Sequence, residues 1–138
     1  NNIEMIFDIG GEKLQSSSSL IDPFINYIEK RPWGKFENLI SSQNFLVKKI
    51  SVQPGQKLSL QYHNHRAEYW VVVNGSGLIT IDKEEIKCSS GSTFQIKKNQ
   101  LHRIENNNDE DLVLIEVQIG ENLSEEDIVR VDDLYGRN

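Results

Sequence analysis

Three histidines occur in this 138-residue chain, and all of them fall in two short segments with metal-ligand spacing. The first segment reads Gln61, Tyr62, His63, Asn64, His65, Arg66, Ala67, Glu68, and the second runs from Gly91 through His102 to Asn106. Imidazole nitrogen and carboxylate oxygen are the usual donors to zinc and its neighbours, and an amide oxygen such as that of Gln61 can complete the set. The chemistry to look for is that of a divalent metal in mixed nitrogen and oxygen ligation. Histidines scattered at random over a surface would not cluster in this way.

Strands must position these groups. Leu58, Leu60 and Tyr62 alternate with Ser59, Gln61 and His63, the period of two expected of a strand, which places Gln61 and His63 on one face. Polar side chains turned into a small barrel need a partner, and a metal supplies one. Glu68 follows a tight four-residue connection and opens the next strand, with Trp70 on its face; His102 is expected to arrive from across the sandwich. Gln61, His63, Glu68 and His102 then form an open four-ligand site. A second ligand set replaces Gln61 by His65, although only two residues separate His65 from Glu68.

The rest of the chain supports an all-β reading. Residues 45–52, 69–73, 78–81, 85–88, 93–96, 102–105 and 112–119 are short β-prone runs, and Asn74 with Gly75 is a hairpin signal. Regular short strands without a long amphipathic helix indicate an antiparallel sandwich or barrel. Residues 124–127 resemble the start of a brief helix capped by Ser124. Residues 1–30 read as an arm or linker, with an apolar run at 5–7, serines at 16–19, and Asp22 with Pro23 opening a short helix through Ile28.

Composition bounds the function. With 37% hydrophobic and 26% charged residues the chain is that of a globular domain. A net charge of −6 without a basic run argues against nucleic acid, yet a local pair of arginines can still dominate a pocket for a small anion. One cysteine, Cys88, excludes an internal disulfide and fits a reducing compartment such as the cytoplasm. No stretch is apolar enough to be read as a membrane span, and no signal peptide is visible. The chain starts at Asn1 rather than methionine, as a trimmed chain or a piece of a longer protein would.

Two longer patterns contain the candidate ligands. Gly55, Gln61, His63, Glu68 and Gly75 resemble the first cupin motif, with Gln61 in place of its first histidine; Gly91, Lys97, Asn99, His102 and Asn106 resemble the second. The blocks RPWGKFE from Arg31, LSLQYHNHRAEYWVVVNG from Leu58, HRIEN from His102 and EDIVRVDDLYGR from Glu126 are similar to the cupin domain of type II mannose-6-phosphate isomerases. That domain is often the C-terminal part of a bifunctional enzyme with mannose-1-phosphate guanylyltransferase activity. The resemblance covers about residues 31–137, and residues 1–30 carry no nucleotidyltransferase signature. It implies a cupin, a double-stranded β-helix or jelly-roll barrel, over residues 31–138 with short N- and C-terminal extensions.

This sequence departs from the family pattern at three places. Asn64 stands where a further histidine is usual, and Lys97 and Asn99 replace a proline and a glycine. Asparagine tolerates the left-handed backbone, so the turn can survive. Lys97 adds a cation near His102.

The resemblance further implies interconversion of mannose 6-phosphate and fructose 6-phosphate, feeding GDP-mannose and polysaccharide precursors. One divalent metal, zinc first among zinc, cobalt, manganese and magnesium, would stabilise the developing negative charge. A base must move the proton between C1 and C2, and His65 and Glu116 are the candidates. Arg66, Lys97, Arg130 and Arg137 are candidates for the phosphate, and Trp70 for an apolar wall beside the sugar. Each has a plainer alternative: Arg66 paired with Glu68, Trp70 as a core aromatic, and Arg130 and Arg137 bridged to Asp127, Asp132 or Asp133. Other function classes compatible with the fold are a non-catalytic sugar-binding or regulatory cupin, and another cupin enzyme such as an epimerase or iron oxygenase. The partners to expect are the hexose 6-phosphate, a second copy of the chain, and an upstream nucleotidyltransferase domain on a longer chain, but neither nucleic acid nor membrane.

Overall fold

The structure is a computed structural model that describes residues 27–136. It contains eleven strands and, among the described residues, no helix: β1 (Tyr27–Arg31), β2 (Gly34–Ser41), β3 (Phe45–Val52), β4 (Leu60–Tyr62), β5 (Arg66–Asn74), β6 (Ser76–Ile81), β7 (Glu84–Ser89), β8 (Thr93–Ile96), β9 (His102–Glu105), β10 (Leu112–Gly120) and β11 (Val129–Asp132). A six-stranded sheet runs β1-β2-β3-β10-β5-β8, and a five-stranded sheet runs β11-β4-β9-β6-β7. Every pairing is antiparallel. Two facing antiparallel sheets form a jelly roll of the cupin type.

Period-two alternation dictates what lies between the sheets. On β10, Leu112, Leu114, Glu116 and Gln118 are buried while Val113, Ile115 and Val117 are half-buried and Ile119 is exposed. On β5, Arg66, Glu68, Trp70 and Val72 point inward, and Tyr69, Val71 and Val73 outward. One end of the interior is apolar, built from Val52, Val72, Ile79, Ile96, Ile104, Leu112 and Leu114, and accounts for the cohesion of the sandwich. The other end carries the polar inward positions, and the candidate site lies there.

Several local expectations are corrected. Asn74 and Gly75 do not close a hairpin: β5 already has β10 on one side and β8 on the other, so β6 joins the opposite sheet. Gly75, at φ +82, makes that crossing, and a Cβ there would lie 2.4 Å from the Asp111 carbonyl oxygen. Residues 124–127 form a turn rather than a helix, with Ser124 Oγ accepting from the Glu126 amide at 3.0 Å. Pairing of the following residues, β11, with β4 leaves no room for further helical turns. Tyr27 and Ile28 belong to β1; the remainder of the expected helix from Asp22, and the apolar run at 5–7, lie outside the described residues.

Candidate metal centre

His63, Glu68 and His102 come together, all buried, with one ligand atom of each lying within 4.8 Å of the others. His102 is not brought from across the sandwich: it is the direct register partner of Gln61 on the neighbouring strand of the five-stranded sheet. Glu68 is the group that reaches over from the other sheet. Two strand neighbours thus present the imidazoles, and the facing sheet presents the carboxylate.

Both imidazoles are pinned. His63 Nδ1 donates to the Asp127 carbonyl at 2.7 Å, and His102 Nδ1 donates to the Gln100 carbonyl at 2.9 Å. Each Nε2 is thereby aimed at the cluster, the orientation that metal-ligating histidines take from such outer hydrogen bonds. The two Nε2 atoms are 3.1 Å apart, and Glu68 Oε2 is 3.1 Å from that of His63. Residues 97–100 shape this arrangement. Asn99 takes the left-handed conformation, φ 65, and its amide donates to the His63 carbonyl at 2.8 Å, so asparagine does serve in the place of the usual glycine.

The donor set fits a divalent cation. Burial lowers His102 to about 4, against the opposing pull of Glu68, so its Nε2 carries a bare lone pair at neutral pH. Burial alone would raise Glu68, but the hydrogen bond from His63 and the charges of His102, His63 and Arg66 outweigh it and hold the carboxyl well below its usual range. Two lone pairs and an ionised oxygen converging in a dry interior repel one another unless a positive centre sits between them.

Around the cluster, Arg66 is buried and donates to Glu68 Oε2 at 3.0 Å and to the Ser124 carbonyl at 3.1 Å. Trp70 is also buried, its Nε1 shared between Glu68 Oε1 at 3.1 Å and Glu116 Oε2 at 3.0 Å, with its ring edge-on to His102. Gln118 Nε2 donates to Glu116 Oε1 at 2.7 Å. Burial, then the negative charge of Glu68, pushes Glu116 up to about 8, opposed by Lys48 and Arg66. Gln61 has Oε1 toward Ser59 Oγ at 2.6 Å, and its Nε2 lies 3.5 Å from His63 Nε2.

A cleft opens beside the cluster, lined by Arg31, Lys48, Arg66 and Arg130 together with Gln61, Glu68, Glu116, Gln118 and Glu125. His65 lies apart from the cluster, its side chain 54% exposed and its Nδ1 3.3 Å from Asp127 Oδ1. Lys97 is exposed on the turn before His102, and Arg137 lies outside the described residues. Cys88 is buried in the apolar core, where burial raises its thiol; it takes no part in the cluster.

Lys48, Arg31 and Gln118 were not singled out from the sequence. Lys48 interrupts the inward series Leu46, Ile50, Val52, as Glu116 and Gln118 interrupt Leu112 and Leu114. A charged residue at an inward strand position is the signal that could have found it. Arg31 carried no such signal, since it sits at a strand end.

A profile of the family described as "Mannose-6-phosphate isomerase C-terminal" matches residues 26–133. The xanthan biosynthesis protein XanB of Xanthomonas campestris is 45% identical over 107 residues, 78% of this chain and 23% of that relative. The mannose-1-phosphate guanylyltransferase ManC of Salmonella typhimurium is 43% identical, over 78% of this chain and 22% of its own length. The chain therefore spans less than a quarter of these curated relatives. Among solved structures, the Schizosaccharomyces pombe Cnp3 cupin domain superposes with a TM-score of 0.60 at 15% identity, covering 62% of this chain and 64% of that one. At that identity the likeness concerns the fold alone. Among the described residues no helix is long and apolar enough to cross a membrane.

Proposed function

Because the chain belongs to the mannose-6-phosphate isomerase C-terminal family, we propose that it is a metal-dependent aldose–ketose isomerase interconverting mannose 6-phosphate and fructose 6-phosphate. The observation that carries this reading is the convergence of His63, Glu68 and His102 at the edge of a cation-walled cleft that also holds Glu116. A divalent metal, zinc by preference for two imidazoles and a carboxylate, would supply Lewis-acid polarisation of the sugar's carbonyl and hydroxyl oxygens. Gln61 completes the ligand set if its amide makes a half-turn, which exchanges the ends facing Ser59 and His63.

The chain's own residues divide the remaining work. Glu116 faces the cleft, and we assign it the proton transfer between C1 and C2; its raised affinity for the proton suits a group that must take one and give it back. Trp70 and Gln118 hold its two oxygens in fixed positions. The geometry favours Glu116 over His65, whose ring is held by Asp127 away from the cluster. Gln118 Oε1 is buried without a hydrogen-bond partner, an acceptor suited to a sugar hydroxyl. Arg66 and Arg130 line the cleft, Arg66 with its guanidinium engaged by Glu68 and the Ser124 carbonyl, whereas Lys97 does not line it.

The reading extends to the surroundings. The homologous stretch is a small fraction of each relative, so we place this domain downstream of a nucleotidyltransferase in a longer chain. Phe45, Tyr69, Val71, Val73 and Ile119 remain exposed on the outer face of the six-stranded sheet, and we assign that face to a second copy of the chain. A lone buried thiol suits the cytoplasm.

The test is turnover by the zinc-loaded chain: conversion of mannose 6-phosphate, its loss on chelation, and its return with added metal. Absence of conversion with a filled site would leave a binding module instead.

A further inference from the structure

Lys48 lies on the inner face of β3, 4% exposed, with its ammonium turned toward the cleft. An ammonium buried without an anion is costly, so its partner matters. That partner is Glu125, whose Oε2 accepts from Lys48 Nζ and whose Oε1 is 3.9 Å from Arg31 NH2, a nitrogen that Glu29 Oε2 also bridges at 2.7 Å. Lys48 and Arg31 also share one aromatic platform: Nζ stands 4.0 Å from the Phe36 ring centroid, and the Arg31 guanidinium carbon 5.3 Å. Two cations over one ring, at the wall of the cleft, form a ready seat for an anion.

Glu125 is attached to that seat by little else. It belongs to the turn at 124–127, its side chain is 36% exposed against 5% for Lys48, and the backbone bonds of the turn are made by its neighbours Ser124, Glu126 and Asp127. The turn is anchored from the opposite side, where Asp127 accepts from the Asn64 and His65 amides. Glu125 can therefore leave the seat by side-chain rotation without unfastening Asp127. Its carboxylate carries one charge, while a phosphate monoester carries up to two and presents three acceptor oxygens.

We propose that Lys48 and Arg31 form the phosphate seat for the hexose 6-phosphate, and that Glu125 is a tethered carboxylate occupying it until substrate displaces it. The seat rests on the functional reading above for its substrate, but not for its affinity for an anion. Lys48 and Glu116 are register partners on adjacent strands, so a phosphate on Lys48 would lie on the same sheet face as the proposed proton carrier. The exchange keeps Lys48 paired throughout: bound to Glu125 when the cleft is empty and to substrate phosphate when it is filled.

The experiment compares zinc-loaded wild type, Glu125→Gln and Lys48→Met in calorimetric titrations with inorganic phosphate, fructose 6-phosphate and unphosphorylated fructose, beside steady-state kinetics. Removing the competing charge should tighten phosphate and lower KM for the sugar phosphate roughly 3- to 30-fold. Lys48→Met should raise that KM by at least about 30-fold, since it removes one partner of a buried charge pair. Fructose should not distinguish the three proteins. Lys48→Met replaces the stem with an apolar one of similar length; if it fails to fold, Lys48→Gln takes its place. Unchanged phosphate affinity in Glu125→Gln, or wild-type affinity in the Lys48 variant, would overturn the seat; the latter would place the anion on the metal. Phosphate binding that responds to both variants without any isomerisation would keep the seat and remove the assigned reaction.

Discussion

Lys48 and Glu116 face each other across the β3–β10 ladder, both turned into the interior from the same sheet. The pair links the two ends of the cleft: beyond Glu116 the row continues through Trp70, whose N–H also holds Glu68, while Lys48 leads outward to Glu125. A single line of side chains thus runs from Glu68 of the candidate metal centre to the solvent.

The ligand assignment predicts a sharp division among neighbours. His63→Ala, Glu68→Ala and His102→Ala should bring metal content from about one equivalent to below about a tenth after dialysis, since each removes one donor from a small buried set. His65→Ala should retain its metal, because its ring is turned to Asp127. Elemental analysis of the purified variants decides it; an empty His65→Ala would replace Gln61 by His65 in the ligand set.

Glu116→Gln keeps the shape of the side chain and removes the proposed proton carrier. Its kcat should fall on the order of 10² to 10⁴-fold with metal content and KM nearly unchanged. A comparable loss in His65→Ala, with Glu116→Gln still active, would transfer the role.

The shared indole N–H is a separate matter. Trp70→Phe fills most of the same volume but strips one donor from both Glu68 and Glu116. The fold should persist, with a loss of about 1–3 kcal/mol in denaturant unfolding and a lower kcat. Wild-type kcat in this variant would show that the two carboxylates are held by other contacts.

How much of this was legible in the sequence follows from the range of each signal. Spacing inside one strand or one tight connection is local, so the roles of Gln61, His63 and Glu68 as inward groups could be read from alternation. Whether His102 lies beside Gln61 or across from it depends on which strands pair, and period two says nothing of partners. The same limit turned the Asn74–Gly75 crossing into an expected hairpin, since the turn residues fit both and only the occupied edges of β5 exclude one. Lys48 was visible as a charge in an apolar register, yet its connection to Glu125, 77 residues away, exists only in the folded chain.

The apolar outer face carries its own prediction. Val71→Glu, opposite Ile115 on the outside of the ladder, should convert a dimer to a monomer in light scattering at micromolar concentration. A monomeric wild type would remove the second copy from the account.

Metal-dependent isomerisation is decided by proton NMR of mannose 6-phosphate in deuterated water. The zinc-loaded chain should form fructose 6-phosphate and place deuterium at C2 of the recovered mannose 6-phosphate, and chelation should stop both. A filled metal site with neither product nor deuterium exchange, whether loaded with zinc, cobalt, manganese or magnesium, would contradict it.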